Sequence, residues 1–278
     1  MSHIHSRALL TTLSISAWTA RKQDKSVSAE VEKAHGAHDA GKYNKLLVSK
    51  ALLDPITRLA ARIRESHYYS THAWSDSGAR LLPSKLFAAY TDRMRAFRVE
   101  FDNTVHTMLG AYPLEVQAAR VRLGSMYNPD DYPDVSELKE RFSINLEFTP
   151  VPNGDDFRVD LDAAAQDELR ASVTASVAKR QAVALKATYA RVYDVVSKIV
   201  DRLSTPNAVF KNTLISNAQE LCDVLDGLNI NDDPLLTEIA HEIAHSLDYP
   251  PELLRTSPTA RHAALLAAQR ILSLTPGG

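Results

Sequence analysis

The chain has 278 residues, 45% of them hydrophobic and 24% charged, with a formal net charge of −2, nine glycines and one cysteine. This composition belongs to a folded globular protein with a substantial core, and a single thiol excludes an internal disulfide or a four-thiolate metal centre. The near-zero charge speaks against a strongly basic nucleic-acid binder, and no complete phosphate-binding G-x-x-x-x-G-K-[ST], no G-x-G-x-x-G and no G-x-S-x-G nucleophile elbow occurs.

The opening residues, Met1 to Leu10, lack the apolar core of a signal peptide, and no later stretch approaches about 18 uninterrupted apolar residues. The expectation is a cytoplasmic protein that does not enter a membrane. Leu13, Ile15, Ala17 and Thr19 alternate as a strand would. Asp54-Pro55 reads as the cap and first residue of a helix carrying Ile56, Leu59 and Ile63. From Ser84 onward, Leu86, Tyr90, Met94, Phe97, Phe101, Val105, Met108 and Tyr112 recur at intervals of four and three, a sustained heptad seam. Pro113 is expected to stop or kink that helix, with a further helical stretch running to Gly124.

Ile144, Leu146 and Phe148 alternate with polar residues, Asn153-Gly154 supplies turn chemistry, and Phe157, Val159 and Leu161 alternate again. This predicts a β-hairpin at about 143–161. No Gly or Pro interrupts the next stretch, Leu161 to Ser204, and Leu169, Val173, Leu185, Tyr189, Val192, Val196, Ile199 and Leu203 form a second stripe. Such a helix is roughly 60 Å long and needs a partner to cover its seam. Asn212, Asp233-Pro234 and Ser257-Pro258 then open three shorter helices.

The predicted fold is therefore mainly α: a long antiparallel helical pair, coiled-coil-like, with an inserted β-hairpin and a C-terminal helical bundle. Residues 1–206 are expected to form an elongated helical domain and residues 207–278 a small C-terminal helical subdomain.

His241-Glu242-Ile243-Ala244-His245 matches H-E-x-x-H, in which two histidines one helical turn apart hold zinc and the glutamate activates a bound water. A catalytic zinc needs a third protein ligand, and the position six beyond His245 is Pro251. Glu252 follows two prolines, and His262 has no known ligand spacing. Leu236, Ile239, Ile243 and Leu247 form the apolar stripe of this helix, which puts both histidines on the opposite, wet face. The leading expectation is no catalytic residue, no metal and no cofactor. The alternative is a zinc metallopeptidase with His241 and His245 as ligands and Glu242 as base.

The first fifty residues carry a modest basic excess. Trp18, Arg21, Lys22, Lys25 and Lys45 hold the ingredients of a stacking and phosphate-binding surface, against the plainer reading of a solvated face with Trp18 in the core. Cys222 falls on the apolar side of its helix beside Ala218, Leu221 and Leu225, as a buried, inert thiol would.

Trp18-Thr-Ala-Arg-Lys22, Gly41-Lys-Tyr-Asn-Lys45, Trp74-Ser-Asp-Ser-Gly-Ala-Arg-Leu-Leu-Pro83, Leu123-Gly124 with Asp131-Tyr-Pro133, Pro150-Val-Pro152 with Asp156-Phe-Arg-Val159, Leu221-Cys-Asp223, Leu228-Asn229 and Leu254-Arg255 span nearly the whole chain. Together they resemble a phage- and prophage-borne family, also found in bacterial genomes, known only as a domain of unknown function. The resemblance implies a mostly helical protein of the bacterial host cytoplasm, in some relatives encoded near a MoxR-like AAA+ ATPase, and it implies no catalytic residues. The expected function is non-enzymatic: protein–protein interaction, with an AAA+ ATPase as partner. A zinc metallopeptidase and a nucleic-acid-binding accessory protein are the alternatives.

Overall fold

A computed structural model describes residues 4–155, 162–205, 208 and 211–276. In chain order the elements are α1 (Ile4–Arg7), β1 (Ala8–Ser16), β2 (Arg21–Gln23), α2 (Lys25–His35), β3 (Asn44–Leu46), α3 (Lys50–Tyr69), β4 (His72–Ala73), β5 (Arg80–Pro83), α4 (Phe87–Leu123), α5 (Val135–Glu140), β6 (Ser143–Pro150), α6 (Ala163–Ser204), α7 (Thr213–Leu228), α8 (Pro234–Ser246), α9 (Pro251–Thr256) and α10 (Pro258–Leu274). The protein is mainly α, with a small antiparallel sheet in the order β4-β5-β1-β6 and a two-stranded β2-β3 ribbon. Among the described residues no helix is long and apolar enough to cross a membrane. The chain folds into two compact units, one of Met1–Thr12, Tyr68–Tyr90 and Glu147–Gly278, the other of Leu13–His67 and Thr91–Leu146.

In the first unit α6 is one uninterrupted helix of 42 residues, opened by the Asp162 carboxylate, which accepts from the Ala165 N–H at 2.9 Å. Its stripe serves two clusters. Val173, Val177 and Ala184 pack with Ile4, Ala8, Leu10, Trp74, Leu81, Val151 and Ile230. Farther along, Tyr189, Val192, Val196, Ile199 and Leu203 are buried with Ile215, Leu221 and Leu225 of α7, Leu236, Ile239 and Ile243 of α8, and Ala264, Ala268 and Ile271 of α10. The covering partners of this half are therefore α7, α8 and α10. The expected partner, α4, belongs from Thr91 onward to the other unit. The heptad pattern specifies a face that must be covered, and three short helices cover it as well as one long one.

α6 and the helices after it share one core. Two of the three expected caps form: Asp233 accepts from the N–H groups of Leu235 and Leu236, and Ser257 from that of Ala260, whereas Asn212 precedes α7 in helical backbone geometry without a side-chain cap hydrogen bond. Gly227, near the end of α7, lies so close to the turn at Ser84–Leu86 that a Cβ there would overlap the Leu86 side chain.

The sheet departs from expectation. The first hairpin strand exists as β6, but residues 156–161, the expected second strand, lie outside the described residues. The alternating segment proposed at Leu13–Thr19 begins earlier, as β1, and its Ala8 to Thr11 pair with Pro83 to Arg80 of β5, a run too short to announce itself. Arg80 and Arg191 stitch this region together. Arg191 donates to the carbonyls of Tyr69 (2.9 Å), Tyr68 (3.0 Å) and Thr71 (2.8 Å), while Arg80 donates to the hydroxyl (2.7 Å) and carbonyl (3.2 Å) of Thr71. These are orphan acceptors at and just beyond the C-terminus of α3, where cations are favoured.

Beside them His72 is 1% exposed; its Nε2–H donates to the Leu228 carbonyl at 3.2 Å, and Nδ1 is left without a partner. Burial, then the charge of Arg191, pushes the imidazole down to about 4 from 6.5.

In the second unit α3 buries Ile56, Leu59, Ala60 and Ile63, and α4 buries Met94, Phe101, Val105, Met108, Leu109, Tyr112, Ala119 and Leu123. Arg62 joins the two helices, donating to Glu100 at 2.8 Å and lying 5.7 Å over the Phe97 ring. Both internal prolines are carried through. Pro113 does not end α4, whose buried stripe continues on either side of it, and Pro55 sits inside α3 because that helix starts earlier, at Lys50, leaving Asp54 within the helix rather than capping it. Burial of the continuing stripe outweighs the roughly 3 kcal/mol disruption of an internal proline.

Two outcomes follow. Gly227→Val will cost about 1–3 kcal/mol in urea unfolding by overpacking against Leu86. Because the folded imidazole of His72 binds its proton more weakly than the unfolded one, stability is complete above pH 6.5 and falls by about 3 kcal/mol as pH drops toward 4. Unfolding free energies of wild type and His72→Gln across that window will show the slope shrinking in the variant.

Candidate functional site

The densest polar constellation lies in the second unit. Asp24 ends β2 and caps α2, its Oδ1 accepting from the Ser26 hydroxyl (2.6 Å) and the Val27 N–H (3.2 Å). Its other oxygen, Oδ2, faces Lys45 of β3, whose Nζ is 3.4 Å away. The same Nζ lies 2.9 Å from Asp131 Oδ2 and donates to the Met126 carbonyl at 2.6 Å. Three acceptors thus take up the three donors of an ammonium whose side chain is 6% exposed. Burial pulls this ammonium down, but the hydrogen bond and charge of Asp131, then of Asp24, outweigh it and leave Lys45 above the ordinary lysine value. Asp24 is held below the usual carboxylate range, first by Ser26 and Val27.

These groups line a pocket of about 760 Å³, together with Lys25, Ser26, Glu30, Ser125, Tyr127 and Asn128. Behind Tyr127, tyrosine hydroxyls tie neighbouring segments together. The Tyr132 ring stacks on Tyr127 at 5.2 Å and its hydroxyl donates to Leu47 O, while the Tyr112 hydroxyl donates to Pro133 O. Arg122 and Glu115 of α4 complete the frame, Arg122 donating to the carbonyls of Leu46 and Leu47 and Glu115 accepting from the N–H and hydroxyl of Ser49.

The five residues of the expected basic surface separate here. Lys45 is not a surface cation: its charge is spent on two carboxylates. Trp18 is half-buried with its ring edge-on to Tyr112 at 5.9 Å, and Lys22 sits 3.9 Å from Asp131. Arg21 and Lys25 are exposed. Net charge at the pocket is not basic, since Asp24, Glu30 and Asp131 accompany its lysines.

Nearby, Gly36-Ala-His-Asp-Ala-Gly-Lys42 has the first seven positions of a phosphate loop, but Tyr43 stands where Ser or Thr would reach a metal. The segment also runs from helix α2 into strand β3, the reverse of the strand-loop-helix order that aims backbone amides at phosphate.

The H-E-x-x-H segment lies on α8 in the first unit. Leu236, Ile239 and Ile243 are buried, and His241 and His245 are exposed, as the helical period requires. The two imidazoles stack, with centroids 3.9 Å apart and planes 18° from parallel. Glu242 turns elsewhere: its Oε1 accepts from the Ser246 hydroxyl at 2.9 Å and lies 4.0 Å from Arg270 of α10. Among the described residues no group of three or more His, Cys, Asp or Glu is placed to hold a metal, so the pair supplies two ligands where a catalytic zinc takes three. Cys222 is half-buried and donates to the Ala240 carbonyl; burial raises its thiol, the opposite of nucleophile activation.

A third feature was not singled out in the sequence. On α4, Val99, Leu114 and Val121 are 61%, 69% and 87% exposed. At 100° per residue they fall within about 60° of one another, on the face away from the buried stripe. Protein-family models, curated proteins and solved structures were all compared with the chain, and none matches.

The Lys45 cluster yields a direct test. Lys45→Met leaves Asp24 and Asp131 sharing a pocket without their cation and will cost roughly 1–3 kcal/mol in urea unfolding. Adding Asp131→Asn will return part of the loss, a coupling that a double-mutant cycle measures.

Proposed function

We propose that the protein is a non-enzymatic binding protein whose work is to engage a partner protein, and that the partner docks on the outer face of α4. The observation that carries this reading is the exposure of Val99, Leu114 and Val121 along some 33 Å of one helix. The three aliphatic side chains are spaced along one face of a rigid element, with exposed Asn103 and His106 between them, and a helix face that presents spaced apolar anchors is a familiar docking element. The family resemblance supplies the partner class: an AAA+ ATPase of the bacterial cytoplasm, with the protein serving as its adaptor in a phage or prophage setting. Long helices suit that role because they hold a contact surface rigidly and so reduce the ordering cost of binding.

Leu114→Glu and Val121→Glu test it. Both positions face solvent, so circular dichroism and urea midpoints will stay at wild-type values. Binding to a purified MoxR-like ATPase, measured by surface plasmon resonance, will weaken at least tenfold. Unchanged binding in both variants, or none by wild type, would overturn the reading.

A further inference from the structure

We infer that His241 and His245 form a two-imidazole clamp for a divalent transition-metal ion on the surface of α8, a site independent of the partner-binding reading and of any hydrolytic role. Three observations carry it. The histidines are one turn apart on the same face of the helix and both are exposed to solvent. Their rings stack face to face, 3.9 Å between centroids and 18° from parallel, so both imidazoles occupy one spot on the surface. Two nitrogens sharing one ion at 2.0–2.1 Å lie about 3 Å apart with the ion in both ring planes, so the stacked rings must swing out of their stack to converge on one metal, a rotation open to side chains that face solvent.

The third observation is chemical. Nδ1 of His245 lies 2.9 Å from the His241 carbonyl, and a carbonyl can only accept. Nδ1 therefore carries the proton, and in the neutral ring the lone pair sits on Nε2, facing outward. A backbone carbonyl holding the second ring nitrogen is the outer-shell arrangement that orients metal-ligating histidines.

Glu242 distinguishes this site from a hydrolase. Its carboxylate is occupied by Ser246 and drawn toward Arg270, so it neither completes the ligand set nor stands over a bound water. The remaining coordination positions go to solvent. Two neutral imidazoles suit Zn²⁺, Ni²⁺ and Cu²⁺, with affinity rising toward Cu²⁺, and they discriminate strongly against Mg²⁺ and Ca²⁺, which prefer oxygen. A bound ion bridges one turn near the C-terminal end of α8 and stabilises it by mass action.

The test uses the full chain and Zn²⁺ alone. Isothermal titration of wild type will show one equivalent more than the His241→Ala/His245→Ala double variant, and each single variant will bind that equivalent at least tenfold more weakly. Imidazole ¹⁵N spectra will show the coordination shift at Nε2 of His245, with Nδ1 still protonated. Equal stoichiometry and affinity in wild type and double variant would overturn the proposal, as would coordination through Nδ1. Loss of the same equivalent in His262→Ala would also overturn it by revealing a third protein ligand. Because the substituted side chains face solvent, unchanged circular dichroism accompanies any of these outcomes.

Discussion

The constraint on which the first unit depends is that a 42-residue helix cannot remain helical in water by propensity alone; its apolar stripe has to be covered along the whole length. The chain meets this in two stretches. Val177 and Ala184 are buried with the sheet and the N-terminal turn, half-buried Val173 packing beside them, and Val192, Val196, Ile199 and Leu203 are buried with three C-terminal helices. Arg191, placed between the two stretches, turns its guanidinium to the carbonyls that α3 leaves unsatisfied. One rod thereby organises two cores and a polar tie, and His72 is sealed in beside that tie as a neutral ring.

Much of this was legible. The extent of α6, the caps at Asp233 and Ser257, and the buried and exposed faces of α8 all follow from local rules, because a cap or a helical face is decided within a few residues. What local rules leave open is which surface covers a stripe. The heptads of α4 and α6 suggested each other, yet the latter half of α6 is buried by α7, α8 and α10. Proline misled for a related reason. Pro55 and Pro113 mark helix ends in isolation, but packing on both sides holds α3 and α4 together. The strand β5 is only four residues long and pairs with β1 some seventy positions earlier, so no periodicity could have revealed it.

The polar pocket shows the same limit more sharply. Lys45 reads from sequence as one of several N-terminal cations, and its nearest neighbours in the chain give no hint of burial. Its environment comes from Asp131 and the carbonyl of Met126, more than eighty residues away, and a buried ammonium is tolerable only because both arrive. The histidine pair is the opposite case: its spacing is visible at once, while the meaning of that spacing rests on where Glu242 points, which only the neighbouring α10 decides.

The interleaving of the two units has a bearing on biosynthesis. Residues 13–67 and 91–146, which make up the second unit, leave the ribosome long before the last third of the chain. The first unit closes on itself only when Ile230 and Asp232 reach Arg7, more than two hundred residues upstream. Until β6 and the first half of α6 are made, the nascent N-terminal strand has β5 alone beside it, and Leu10 and Leu81 lack the cover of Val151, Val177 and Ala184. Assembly that waits for such distant segments is slow and leaves apolar surface open to chaperones, so a message truncated before α6 would release a product unable to finish half of its architecture.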